Sequence, residues 1–180
     1  NIAIDATSKI DVAGKGYFGG WRGGNNSASG MTRDPATGGP TTTGGSTHSN
    51  GGSYGGLGGI FNSGSVNAMY GDVTYPDEAG SGGGSSSSSS WPGGNGGGLV
   101  KITAGTLTVD GKIVADGGNG PSGSGGYYGG GGSGGGVMIN VFTIAGAATN
   151  SAKGATGSYE AAAGVGGRGV ALTPTSHRHG

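Results

Sequence analysis

The residues that could do chemistry in this chain are few, and the carboxylates come first. Seven of the nine are candidates: Asp5, Asp11, Asp72, Asp77, Glu78, Asp110 and Asp116. Carboxylates close together bind Ca²⁺ through hard oxygen ligands, or act in pairs on a glycosidic bond. Asp5 and Asp110 are the calcium candidates. Each follows an alternating apolar pair, Ile2 and Ile4 or Leu107 and Val109, and each opens a corner. The same position suits Asp as a turn former, whose side chain bonds its own backbone two residues on. No GGxGxD calcium repeat recurs, so no cofactor beyond that candidate Ca²⁺ is expected. No group of acids gathers on one strand face, as a β-helical polysaccharide-degrading enzyme would need. The chain is therefore expected to be no enzyme.

Histidine and cysteine add little. His177 and His179 sit two apart and would share one side of a strand, while His48 is remote. A metal centre needs a third and a fourth ligand, and the sequence offers none, so the pair reads as a polar junction. The absence of Cys excludes disulfides and thiolate sites. GxGxxG-like strings arise by chance in so glycine-rich a chain, and no GK[ST] follows a strand. Asn25-Asn26-Ser27 is an N-glycosylation sequon, which makes Asn25 the acceptor if the source is eukaryotic. The threonine run 41–43 and the serine run 85–90 read as O-glycan sites or as plain loop. Tyr54, Tyr127, Tyr128, Phe18 and Trp91 lie in Gly-rich stretches and could serve there as wedges, as lids or as a glycan-binding face.

The elements that must position these residues are unusual. Of 180 residues 51 are Gly, 31% are hydrophobic and 10% are charged. Ordinary Gly usage is roughly 7%, and glycine brings no side chain to a core. A conventional layered core is excluded over most of the chain. Nine basic residues balance nine acidic ones, so the self-repulsion that accompanies disorder is missing. A neutral Gly-rich chain is free to pack backbone on backbone. No basic patch invites nucleic acid, and no apolar run reaches the roughly 18 residues that span a membrane. The chain opens NIAID without an initiator Met or signal peptide, as expected of a processed protein or an excerpt.

Residues 97–120, GGLVKITAGTLTVDGKIVADGGNG, carry the longest alternating pattern. Val100 and Ile102, Leu107 and Val109, then Ile113 and Ala115 form three apolar pairs. Ala104-Gly105 separates the first from the second, and Asp110-Gly111 the second from the third, so three short strands are expected. Residues 137–157 repeat the pattern, with Val137 and Ile139 on Val100 and Ile102, Phe142 and Ile144 on Leu107 and Val109, and Ala152 on Ala115. Residues 1–20 match its second half, Ile2 on Leu107, Ile4 on Val109, Ile10 on Ile113 and Val12 on Ala115. Residues 167–180 match its first half, through Val170 and Leu172. Residues 60–80 read as a degenerate copy. Between the copies lie Gly-rich or low-complexity insertions at 21–59, 81–96 and 121–136. Residues 51–59, GGSYGGLGG, place a non-Gly residue at every third position, which suits an extended three-fold helix.

Fixed-period self-similarity marks a stacked array. The expected fold is all-β: β-solenoid or β-helix-like rungs with Gly-rich, polyglycine II-like insertions and negligible helix. About four rungs would raise the axis by roughly 19 Å. A copy that begins on a second half-rung and ends on a first half-rung is completed by another copy, tandem or separate. Ile2, Ile4, Ile10, Val12, Val170 and Leu172 are the expected assembly interface.

The motifs GGLVKITAGTLTVDGKIVADGGNG, GSGGG and GGRGVAL make the chain resemble the Gly-rich repeat regions of very large surface-exposed and secreted proteins of environmental bacteria. Its Gly triplets are similar, over a smaller part, to the poly-glycine sandwiches of some phage adhesin tips. The resemblance implies an extracellular or cell-surface location and structural or adhesive use, and it carries no catalytic residues. A structural filament subunit, joined head to tail to itself, is thus the leading expectation. A surface adhesin or glycan-binding module is the alternative. The expected partners are copies of the chain and glycans, with no nucleic acid and no membrane span.

Overall fold

The computed structural model describes residues 1–61, 63–72, 74–86, 88–121, 127–157 and 171–174. Nine strands and no helix occur among them: β1 (Ile2–Ile4), β2 (Lys9–Asp11), β3 (Thr32–Arg33), β4 (Pro40–Thr41), β5 (Leu99–Val109), β6 (Lys112–Val114), β7 (Gly136–Ala145), β8 (Thr149–Ser151) and β9 (Ala171–Pro174). Two parallel sheets carry the architecture, in the orders β1-β5-β7-β9 and β2-β6-β8; β3 and β4 make a small antiparallel ribbon. No described helix is long and apolar enough to cross a membrane.

The parallel pairing follows from the alternating pattern. Strands buried on one face need a fixed register, because a slip of one residue turns the apolar set to the other side. Leu99 pairs with Gly136, Val100 with Val137 and Ile102 with Ile139. Ile2 pairs with Leu107 and Ile4 with Val109, while Ile10 pairs with Ile113. Ile139 in turn pairs with Leu172. Identical column positions thus stack apolar on apolar, and the buried cluster runs from Ile4, Leu107 and Val109 through Ile113 and Ala115 to Val137, Ile139, Val141 and Ala152. Burying each larger side chain of this kind contributes about 1.5–3 kcal/mol.

Three sequence expectations need correction. Ala104-Gly105 does not end a strand: β5 runs unbroken for 11 residues. The buried set instead changes phase there, from Val100 and Ile102 to Leu107 and Val109. The backbone pairs on both sides of Gly105, but Gly105 itself has no ladder partner. This is how an irregular residue re-aims side chains without ending a strand. The second correction concerns Phe142. The register of β5 on β7 holds one offset throughout, so Ile144 takes the place beside Leu107, and Phe142 is left 75% exposed. Third, residues 60–80 contribute no strand to either parallel sheet among the described residues.

Outside the sheets the Gly-rich segments bond to one another with a spacing of three. Gly80 and Gly83 donate to the carbonyls of Gly97 and Gly94, and Gly82 and Ser85 donate to those of Met31 and Ala28. The carbonyls of Gly80 and Gly83 accept from Tyr17 and Gly20, and those of Ser81 and Gly84 accept from Ser133 and Gly130. One segment is therefore tied on several sides, and each side receives every third residue. Such contacts require backbones closer together than side chains permit. A Cβ on Gly83 would strike the carbonyl of Gly130, and one on Gly94 the carbonyl of Gly118.

Candidate functional site

Among the sequence-derived site residues, the carboxylates are dispersed. Asp5 Oδ1 accepts the Thr7 N–H at 2.9 Å and the Thr7 hydroxyl at 2.7 Å. These bonds, the hydroxyl first, hold its carboxyl below the usual carboxylate range. Asp11 is lowered similarly, chiefly by Lys9 Nζ at 2.7 Å. Asp110 Oδ1 accepts the Ala147 N–H at 3.3 Å, and Asp116 Oδ1 accepts the Ser151 hydroxyl at 2.6 Å and the Lys153 N–H at 2.7 Å. Both acids therefore reach from one layer to the next. Among the described residues no group of three or more His, Cys, Asp or Glu side chains could hold a metal ion.

Asn25 is not the exposed acceptor that its sequon suggests. Its side chain is 2% exposed. Its Nδ2 donates to the carbonyls of Gly19 at 3.0 Å and Ser29 at 2.8 Å, and its Oδ1 accepts the Ser27 N–H at 3.0 Å. A glycan on Nδ2 would cost both donated bonds. Asn25 is a fastener of the loop that follows Gly20.

The aromatic residues of the Gly-rich stretches do not gather on one face. Tyr54 is buried and meets Tyr70 edge-on at 5.1 Å between ring centres. Tyr128 meets Phe61 edge-on at 5.5 Å. Tyr127 and Phe18 are exposed, and Trp91 is half-buried. A cavity of about 280 Å³ between Thr32, Arg33, Met69 and Tyr70 lies beside the Arg33–Glu78 ion pair. His48 is exposed, in a left-handed backbone conformation; His177, His179 and Val170 lie outside the described residues.

Among the described residues, the apolar end residues come together as two edges without a covering strand. β1 and β9 are the outermost strands of one sheet, and β2 and β8 those of the other. β1 covers only the second half of β5, at Leu107–Val109, whereas β9 covers only Met138–Val141 of β7. The exposed halves thus lie on opposite sides of the stack and in different columns. Side-chain exposure follows the same logic. In the column Ile2, Leu107, Ile144 the values are 38%, 0% and 45%. Ile4 is buried, while Ile10 and Val12 are partly covered. The middle layer is sealed and the outer layers are not.

One residue that matters escaped the sequence reading. Asn67, 1% exposed, lies in the supposed degenerate copy. Its Nδ2 donates to Thr32 Oγ1 at 3.0 Å, to the Ser53 carbonyl at 3.0 Å and to the Ala68 carbonyl at 2.9 Å. Its Oδ1 accepts the Ser53 N–H at 2.7 Å and lies 3.0 Å from the Ser46 and Ser81 hydroxyls. No local signal separates it from an ordinary loop Asn.

No known protein family, curated protein or solved structure matches this chain.

Proposed function

We propose that the chain is a structural unit of an extracellular fibre, in which copies stack along the axis of the two parallel sheets. Each pass through β5 and β6, or through β7 and β8, is on this reading one rung of a β-solenoid. The Gly-rich segments form a polyglycine II-like bundle beside it, as the three-residue spacing of their hydrogen bonds supports. The observation that carries the proposal is the exposure of Ile2 and Ile144 at either end of a column whose middle member, Leu107, is fully buried. Unpaired strand edges template further pairing unless they are blocked. A contact that joins unlike faces and does not close extends into a filament. Neither edge is blocked by a covering strand among the described residues.

Negative-stain electron microscopy and fibre diffraction of the purified chain test the proposal. The expected outcome is unbranched filaments with an axial reflection near ~4.8 Å. Monodisperse monomers at high concentration, with no polymer under any buffer, would sink it. An adhesive surface is the second reading, favoured by the exposure of Tyr127 and Phe18. Glycan-array binding that disappears in Tyr127→Ala would support it, and silence on a broad array would count against it.

A further inference from the structure

The two open edges fit each other in detail, and this inference rests on the fibre reading above. Beyond Val141, β7 has no strand on its outer side among the described residues, and neither has β8. A groove of about 230 Å³ opens there, between Val109, Ile144, Ala145, Gly146, Ala148 and Asn150. Its floor is apolar, Ile144 being 45% exposed. Its rim holds a buried Asn150 Oδ1 that has no hydrogen-bond partner among the described residues. A buried acceptor without a partner is costly, so the rim is suited to an incoming donor.

The occupant is a second copy of this chain, because β1 and the second half of β7 are members of one column that face outward on opposite sides of β5. β1 lies on Leu107–Val109 of β5, and Ile144 of β7 occupies the Leu107 position one layer further on. Likewise β2 lies on Lys112–Val114, and β8 occupies that position in the next layer. The layer that fits above β7 and β8 in this column is therefore another β1 and β2. Charge favours the junction as well. Inside one copy Lys9 lies beside Lys112, but in the same column of β8 it would meet uncharged Thr149. With nine basic and nine acidic residues, whole copies do not repel one another.

We infer that the second half of β7 together with β8 is a docking site for β1 and β2 of a second copy, in the register Ile2 on Ile144, Ile4 on Gly146 and Ile10 on Asn150. The first copy's β9 then lies beneath the first half of the second copy's β5, with Leu172 in the column of Ile102. The two half-layers complete one layer between them, as in a half-lap joint. Backbone N–H groups of the incoming β2 strand edge provide donors at the Asn150 rim.

Disulfide trapping tests the register, since the chain has no native Cys. Facing residues on neighbouring strands lie about 4.8 Å apart, within the Cα range that a disulfide spans, whereas pairs beyond about 7 Å are not bridged. Ile2→Cys with Ile144→Cys is expected to give a ladder of multimers on oxidation. Ile2→Cys with Phe142→Cys, two residues out of register, is expected to give none. Filaments without a ladder in the first variant, or equal ladders in both, would overturn the register and leave the fibre reading intact. Absence of filaments from the unmodified chain would remove both. Ile144→Asp gives an independent check. The side chain is already half in solvent, so circular dichroism should match that of the parent while filament length falls at least tenfold. A folded Ile144→Asp protein that polymerises like the parent would also overturn the docking site.

Discussion

At the scale of the residue, the chain inverts the usual division between side chain and backbone. Gly94 is buried, and a Cβ there would meet the carbonyl of Gly118. A Cβ on Gly105 would meet no heavy atom within 4 Å among the described residues. Gly94→Ala should therefore destabilise by about 1–3 kcal/mol or more, as overpacking does. Gly105→Ala should be neutral or stabilise by up to about 1 kcal/mol, by restricting the unfolded chain. Chemical denaturation of both variants checks the contrast, and equal midpoints would refute it. Asn67→Ala is a harsher change. It strands the buried Ser53 N–H and removes the donor to Thr32 Oγ1 and to the Ala68 carbonyl, while the Ser46 and Ser81 hydroxyls keep the Gly51 and Ser53 carbonyls; each stranded group costs about 1–3 kcal/mol. Loss of more than ~3 kcal/mol in the same assay is expected. Composition announced the glycines but could not rank them, because two identical residues differ only in what the fold brings near. Asn67 was invisible for the same reason: its partners come from positions 32, 46, 53 and 81.

At the scale of the element, what was legible is what repeats. The alternation around Val100, Leu107 and Ile113 marked strands, and its partial copies marked their partners, so Ile2 on Leu107 and Ile139 on Ile102 could be read directly. Phe142 resembles Leu107 only in residue type, whereas backbone pairing keeps one offset through the phase change at Gly105 and sets Ile144 there. Residues 60–80 failed as a strand copy for another reason: Tyr70 serves an aromatic cluster with Tyr17 and Tyr54 instead. That cluster gives the element a pH signature. Burial pushes the Tyr54 hydroxyl up to about 12 and raises those of Tyr70 and Tyr17 as well. A group whose folded value is raised stabilises fully below its unfolded value, ordinarily about 10, and loses that contribution as pH climbs through the folded value. Stability should hold through neutral pH and fall between about pH 10 and 12, with tyrosinate absorbance rising together with loss of the circular dichroism signal. Tyr54→Phe should move that edge to higher pH. An unchanged edge would mean that the cluster does not control alkaline unfolding.

At the scale of the whole molecule, the stack height decides what a fibre of this chain must look like. Counting copies in the sequence predicted about four layers and a rise of roughly 19 Å. The sheets of the described residues hold three layers. β1, β5 and β7 occupy successive layers in one column, and β5, β7 and β9 do so in the other, so the two columns are staggered by one layer and each contributes three. Head-to-tail stacking in that stagger advances the axis by three layers, or roughly 14 Å. Layer lines in diffraction or in averaged micrographs should therefore index on roughly 14 Å, with the third order falling on the ~4.8 Å strand spacing. An axial repeat of roughly 19 Å would restore residues 60–80 as a layer and refute the three-layer unit. Salt separates this joint from an electrostatic one. Nine charges of each sign leave no net charge, and the side chains of β1 and β7 that face each other are apolar, so raising ionic strength should not dissolve the filaments. Screening would weaken an assembly held by opposite charges. Light scattering across a salt series distinguishes the two: constant or rising signal fits apolar strand stacking, and a signal that collapses with added salt would place the joint elsewhere than Ile2 and Ile144.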